Sequence, residues 1–367
     1  MRKYFSPGRI NLIGEHTDYN GGLVLPVAIS LGITAWVEES LDDRFELSSA
    51  SHSQTISFKN NANFAYEKEY GWLNYPLGVF EYLKNLGYRL KPVRIHFEST
   101  LPEASGLSSS ACIEVLSMYI LLYESGYDVS RRDIACWCKE VENKYIGVNC
   151  GIMDQFCIAN AASGHAMLLN CATLDYENIP VDLGNLSLFI LNTRKPRQLI
   201  HSRYNERRAE CEKALETIKV NTQNNKLKFL CEVSINELES IEDHLLHKRA
   251  KHVISENDRV KTAAYALKSK DLISFASLLN QSHQSLSYDY EVSGKELDTI
   301  VSLALKHPAC VAARMTGAGF GGCAIALADT QQAESFKLFV ENYYRQTTGL
   351  PGEVYFCTIS QGVYQIN

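Results

Sequence analysis

Between Ser6 and Gly22 an apolar run halts at a glycine and turns polar within one turn of chain, which narrows the folds available to it. Ile10, Leu12 and Ile13 have the pattern of a short buried strand, Gly14 breaks it, and Glu15, His16, Thr17 and Asp18 follow. Ionisable side chains at an apolar strand end are unfavourable unless they are solvated or bind something. Asn20-Gly21-Gly22 closes the loop with turn chemistry, and Leu23-Val24-Leu25-Pro26-Val27 resumes an apolar strand. A polar hairpin tip has the same outline. The density of hydrogen-bonding groups, with Arg9 just upstream, suits a small polyol, since each hydroxyl needs a donor or an acceptor.

A chain of 367 residues is too long for one small core, so one large or two medium domains are expected. Hydrophobic residues make up 46% of it, enough for a substantial core. The formal net charge of −6 supplies no basic field for nucleic acid or an anionic membrane surface. The 11 cysteines are scattered, and Cys136-Trp137-Cys138 has neither a zinc nor a thioredoxin spacing. Buried free thiols in a reducing compartment are expected. Met1 to Pro7 has no signal-peptide core, and the longest nearly apolar run, Val115 to Tyr123, is too short to span a bilayer. These features predict a cytoplasmic protein with no nucleic-acid or membrane partner; they leave the oligomeric state open, and a monomer is the expectation.

Strands are predicted through residues 4–58, with a helix after Trp72 that Gly87 ends and a strand over Val93 to Phe97. The stretch from Leu101 to Ala111 is a small-residue loop opening a helix, roughly Ser109 to Glu124. Free N–H groups and the positive dipole end make such a loop an anion site, although an ordinary serine N-cap reads alike. Ser108, Ser109 and Ser110 add hydroxyl donors, one of which could reach a metal, and no Walker A pattern occurs in the chain. Residues 130–146 form a second helix with Ser130 as cap, and Asp154 then stands alone in the apolar run Val148 to Phe156.

Leu186 to Asn192 is a strand that opens the second half. Arg194, Lys195, Arg197, Arg203, Arg207 and Arg208 follow against one acid, Glu206, and the last two arginines fit a solvated helix face. Residues 205–282 are mostly helical. Near the end, Gly317, Gly319 and Gly322 satisfy Gly-x-Gly-x-x-Gly, but Cys323 to Ala328 reads as a strand. A dinucleotide fingerprint must open a helix directly after a strand, so these glycines link two strands and argue against nicotinamide binding. A helix over 331–345 and a strand over 353–359 complete the chain.

The stretch Gly8-Arg9-Ile10-Asn11-Leu12-Ile13-Gly14-Glu15-His16-Thr17-Asp18-Tyr19 resembles the signature of the galactokinases, a branch of the GHMP kinase family. The Leu101–Ala111 loop resembles the family's phosphate loop, Cys150-Gly151-Ile152-Met153-Asp154-Gln155 its aspartate motif, and Arg314 to Cys323 its glycine loop; Trp72-Leu73-Asn74-Tyr75 and Gly78 add to the likeness. The resemblance implies an α/β (α+β) fold of two domains, 1–182 and 183–367, with the active site in the cleft between them. It implies transfer of the γ-phosphoryl of ATP to the anomeric hydroxyl of galactose, with Asp154 facing that hydroxyl and Arg9 stabilising the developing charge.

By the same resemblance, Glu15, His16, Thr17, Asp18, Gly151, Asp154 and Tyr204 read the sugar. Ala104, Ser105, Gly106, Leu107, Ser108, Ser109 and Ser110, with Trp72, Gly317 and Gly319, hold the nucleotide, and Ser110 with Glu142 holds Mg²⁺. Four departures stand out. Ala104 replaces the usual glycine, Arg203 replaces the acid before Tyr204, Leu77 replaces a common basic residue, and the chain starts just before the first motif, without the usual leader. The basic run at 194–203 keeps open a kinase for galacturonic acid, N-acetylgalactosamine or arabinose, and Ala104 a catalytically silent sugar- and ATP-binding regulator.

Overall fold

A six-stranded sheet receives both ends of the chain. In a computed structural model, which describes residues 1–102, 105–195 and 200–366, its strands run in the order Tyr364–Ile366, Arg2–Asn11, Pro26–Glu39, Val93–Ser99, Phe45–Ser49, His52–Phe58. Ala104 and Arg197 lie outside the described residues. All pairings are antiparallel except Phe45–Ser49 with Val93–Ser99. The first strand begins eight residues before Ile10 and ends at Asn11, so Leu12 and Ile13, expected in it, lie just beyond its end. Its register against the Pro26–Glu39 strand shifts between Pro7 and Arg9. Such a bulge bends a strand and re-aims the side chains beyond it, and here it precedes the first candidate site residue.

The covered face of this sheet alternates in sequence: Val93, Ile95 and Phe97 are buried while Arg94 and His96 are partly exposed. Helices Asn74–Asn85, Ser109–Glu124, Arg131–Val141 and Met153–Asn160 supply the opposing side chains. The Ser109–Glu124 helix has the predicted bounds. Ser130 caps the next helix, its Oγ accepting from Asp133 N–H at 3.1 Å. That helix then runs into a π-turn, Glu142–Ile146, closed by Gly147 at φ 85°. Inserted π-turns recur at functional sites because they re-aim a side chain, here Glu142.

The second sheet is antiparallel, in the order Cys310–Met315, Cys323–Asp329, Leu186–Asn192, Glu353–Cys357. Its two central strands, Cys323–Asp329 and Leu186–Asn192, are apolar on both faces. Leu188, Ile190, Ile325 and Leu327 join the core of the first sheet, while Phe189, Leu191, Ala324 and Ala326 face a second core. That second core is built with helices from Ile200–Thr222 to Ala333–Thr348. Burial of both faces explains why these strands read as continuous apolar runs. As expected, the glycines at 317–322 join two antiparallel strands and open no helix. Three short strands, Leu23–Val24, His165–Asn170 and Tyr176–Pro180, form a third sheet. Among the described residues no helix is long and apolar enough to cross a membrane.

Candidate active site

Stretches far apart in sequence meet around one cavity of about 240 Å³. Arg9 and the Glu15–Asp18 turn come from the first strand and its loop, Gly106 to Ser110 from the small-residue loop that opens the Ser109–Glu124 helix. Cys150 to Asp154 and Gly317-Ala318 supply the rest, and Tyr204 reaches in from the Ile200–Thr222 helix. Arg9 is the tie between them. Its Nε donates to Asp154 Oδ1 at 2.8 Å and its Nη2 to Oδ2 at 2.7 Å, while Nη1 donates to Gly106 O at 2.9 Å. A bidentate guanidinium–carboxylate pair fixes both groups in orientation as well as distance. The Arg9 backbone N–H donates to Leu107 O at 3.3 Å, and the Ser108 hydroxyl donates to Asp154 Oδ2.

Ser108 sits in the left-handed region, at φ 62°, as the residue preceding the Ser109–Glu124 helix, and its side chain gives the helix no cap. Its hydroxyl is committed to Asp154 instead, so the first helical N–H groups lack that partner and face the cavity with Ser109 and Ser110. This is the chemistry of an anion site. Gly317 closes over the loop, since a Cβ there would lie 3.3 Å from Gly106 O. Ser105 and Leu107 are buried and line neither this cavity nor the second one described below, so they anchor the loop.

The polar turn after Gly14 divides its labour. Asp18 packs against the backbone of Gly151: a Cβ there would stand 1.7 Å from Asp18 Oδ2. Burial, and next the charge of Asp154, push the Asp18 carboxyl up to about 6. Glu15 Oε1 accepts from Gly317 N–H at 2.8 Å and Oε2 from Asn11 Nδ2 at 2.9 Å, and burial raises its pKa. Each oxygen retains a lone pair for a further donor. His16 has both ring nitrogens engaged, Nδ1 with Tyr19 OH at 2.9 Å and Nε2 with Ala318 O at 3.2 Å. The carbonyl can only accept, so Nε2 carries the proton. Burial, then His252, lowers the His16 pKa to about 3, and the ring is neutral at physiological pH.

Thr17 departs from expectation. It is fully buried, its hydroxyl lies 2.9 Å from Gly14 O and 2.7 Å from Leu23 O, and it does not line the cavity. It closes the turn. Gly319 likewise lies away from the cavity, at φ +80°, where a Cβ would meet Val292 O at 2.3 Å; it seats the glycine loop on the segment after the Leu272–Tyr288 helix.

A second cavity of about 370 Å³ shares Ser109 and Ser110 with the first. Trp72 lines it, stacked on His52 with ring centroids 5.9 Å apart, and its indole N–H is buried without a partner. The helix N-terminus thus stands where two cavities meet. Glu142, buried in its π-turn, accepts from Gln155 Nε2 at 2.5 Å and is hydrogen-bonded by Ser110. Burial raises its pKa to about 7, Ser110 opposes the rise and Asp154 adds to it. Val148, Cys150 and Met153 also line the first cavity; their apolar or thiol side chains carried no signal of a site.

The basic run is spent elsewhere. Arg194 pairs with Glu353, Nη2 to Oε2 at 2.6 Å, Lys195 with Glu296 at 2.5 Å, and Arg203 lies over the Phe320 ring at 5.7 Å. None of the three lines the sugar-sized cavity. Arg207, read as a solvated cation, donates instead to Tyr290 O at 2.8 Å and Glu291 O at 3.3 Å, because that turn leaves carbonyls without helical partners.

Comparison with known proteins places this geometry. The galactokinase galactose-binding signature matches residues 3–39, and the GHMP kinases N terminal domain and C terminal profiles match residues 74–161 and 263–346. The galactokinase of Clostridium tetani is 44% identical over 372 residues, covering 100% of this chain and 94% of its own length. The chain belongs to the galactokinase family. The galactokinase of Fusobacterium nucleatum is 41% identical, with 100% of this chain and 95% of the relative covered. The crystal structure of Lactococcus lactis galactokinase complexed with galactose superimposes with a TM-score of 0.92 at 40% identity, covering 100% of this chain and 95% of that one. Methanococcus jannaschii mevalonate kinase, at 19% identity and TM-score 0.71 with 98% of each chain covered, shares the fold. The expected two-part GHMP kinase fold is therefore the observed one, and the chain is a kinase.

Proposed function

We propose that this enzyme transfers the γ-phosphoryl of ATP to the anomeric hydroxyl of galactose, giving galactose 1-phosphate. The observation that carries the proposal is the Arg9–Asp154 pair, standing between a cavity lined by Glu15, His16, Asp18 and Tyr204 and the uncapped N-terminus of the Ser109–Glu124 helix. The sugar would occupy the first cavity, the phosphates the helix N-terminus, and the base of the nucleotide the second cavity beside Trp72. Asp154 orients and polarises the attacking hydroxyl, accepting its proton as the bond to phosphorus forms. Arg9 faces charge that develops between the sugar oxygen and the phosphorus. Phosphoryl transfer asks little else of a protein than such positioning and charge stabilisation.

Ser110 and Glu142 would hold Mg²⁺. One carboxylate and one hydroxyl, hydrogen-bonded to each other, form an all-oxygen donor set suited to a hard cation that completes its shell with substrate phosphates and water. Among the described residues no cluster of three or more His, Cys, Asp or Glu side chains offers a protein-only cage. Bound there, the ion supplies charge neutralisation on the phosphate oxygens.

The acidic-sugar alternative loses its motive, because the cations that suggested it, where described, are paired or stacked outside the cavity. We also propose the division 1–182 and 183–367, with the final strand crossing back to the first sheet, and a monomer in the cytoplasm, where all 11 cysteines remain the free thiols seen here. The test is ADP release with ATP, Mg²⁺ and a panel of galactose, N-acetylgalactosamine, galacturonic acid, arabinose and glucose. Turnover strongest on galactose, with the phosphate on its anomeric oxygen, is expected. Strongest turnover on another sugar, or none on any, overturns the assignment.

A further inference from the structure

We propose that His252 is a positioning residue for the sugar-reading turn: from the helix His244–Lys268 it grips the peptide between Glu15 and His16 and so holds His16 in its left-handed conformation. The proposal rests on the reading of the first cavity as the sugar site for its consequence, though not for its geometry. His252 itself does not line that cavity. His16 has φ 66°, a region where a residue with a side chain is strained and stays only if its surroundings over-determine the backbone.

Both peptides that flank His16 are pinned. The one after it is held from within the turn, where Asn20 Nδ2 donates to His16 O at 2.7 Å. The one before it is held from the helix, with Glu15 O 3.1 Å from His252 Nε2. A carbonyl only accepts, so Nε2 carries a proton and donates. One turn further along the same helix face, Glu256 Oε1 accepts from Gly14 N–H at 2.9 Å, and the adjacent Asn257 Oδ1 accepts from Leu23 N–H at 2.8 Å. A single helix therefore holds the turn at its entry, at Glu15 and at its exit.

The grip is itself braced. His252 and Glu256 are fully buried. From the Leu272–Tyr288 helix, Ser285 Oγ lies 2.9 Å from His252 Nδ1, and Ser282 Oγ donates to Glu256 Oε1 at 2.6 Å. Arg259 Nε donates to Glu256 Oε2 at 2.7 Å. The Tyr290 ring packs on the rings of both His252 and His16, with centroids 4.6 and 4.7 Å apart. A helix that only packed against the turn would do so with apolar side chains and avoid the desolvation of these polar groups. Side chains locked in this way transmit a fixed geometry to the groups they hold, here the Glu15 and His16 side chains that line the cavity.

Two substitutions separate the donor from the ring. His252→Phe keeps a ring against Tyr290 and removes the donor; His252→Gln keeps an N–H donor without the ring. Ser285→Ala, which unbraces the ring and leaves the donor in place, is the milder probe. The first readout needs no substrate: the ¹³C signal of the Glu15 carbonyl in labelled protein, which reports the hydrogen bond it accepts. It should move in His252→Phe, move less in Ser285→Ala, and return towards its wild-type position in His252→Gln. The second is the kinetic split. The KM for galactose should rise at least tenfold in His252→Phe and recover to within threefold of wild type in His252→Gln. The KM for ATP should stay within twofold in both, because the Arg9–Asp154 pair and the Ser109–Glu124 helix are untouched. A Glu15 carbonyl signal unmoved in both His252→Phe and Ser285→Ala overturns the proposal. So does a His252→Phe variant that melts earlier with its galactose KM unchanged, or one whose two KM values rise together. A wild type that turns over no galactose counts against the sugar reading, and the carbonyl signal then decides this inference alone.

Discussion

Arg9 and Asp154, 145 residues apart, share two hydrogen bonds of 2.8 and 2.7 Å, and the pair ties the first strand to the Met153–Asn160 helix across the cavity. The guanidinium side chain is 6% exposed and the carboxylate 30%, so the acid is the member that looks into the cavity. Asp154→Asn should keep the fold, since the amide oxygen still accepts from Arg9, and should lower kcat on the order of a thousandfold. Arg9→Lys should lose the fork and cost a similar factor, because an ammonium cannot hold both oxygens. Steady-state kinetics with circular dichroism on each variant checks both, and a near-normal kcat in either refutes the roles.

Gly151 is needed for its missing side chain. A Cβ 1.7 Å from Asp18 Oδ2 cannot be accommodated without moving that carboxylate. Gly151→Ala should therefore raise the sugar KM tenfold or more while ATP binding, measured separately by calorimetry, stays within twofold.

Asp18 sets a sign for pH dependence. Its pKa rises from 3.8 to about 6 on folding, so between those values the native state holds the proton more tightly than the unfolded chain. The stability linked to that proton is present below about 3.8 and is lost as pH climbs through about 6. Asp18→Asn removes the linkage. Its melting temperature, relative to wild type, should be higher at pH 7.5 than at pH 5, while turnover falls. Melting curves at the two pH values test this, and an equal difference at both would refute it.

The glycine loop is seated on the backbone of Val292. Gly319→Ala faces both the left-handed φ of +80° and a carbonyl 2.3 Å from the new methyl. The loop should lift, with a rise in KM for ATP of at least fivefold and accelerated proteolysis between residues 316 and 322, both measurable on the purified variant.

The parts of this site legible in the sequence were those where chemistry and local pattern coincide. Gly14 closes an apolar run and is followed by ionisable groups; Ser108 to Ser110 open an apolar helix; Gly317 to Gly322 lie between two strands. Helix and strand boundaries such as Ser109–Glu124 and Leu186–Asn192 followed from periodicity and breakers. What could not be read was partnership across the chain. Nothing local to Arg194 or Lys195 announces Glu353 or Glu296, and nothing in Thr17 distinguishes a hydroxyl that closes a turn from one that meets a ligand. His252 and Glu256 look like ordinary helix residues until the helices are packed, because burial is set by neighbours remote in sequence.

The strand Leu186–Asn192 gives alternate side chains to different cores, Leu188 and Ile190 to one, Phe189 and Leu191 to the other. A partition through which both interiors are packed cannot be dismantled for one tenant alone. Melting of either half strips apolar surface from the other, so heating should yield a single transition, and a lesion as small as Ile190→Ala should lower the whole of it. The cleft therefore opens and closes, if substrates require it, through the loops that rim it and not by parting the two halves along this wall.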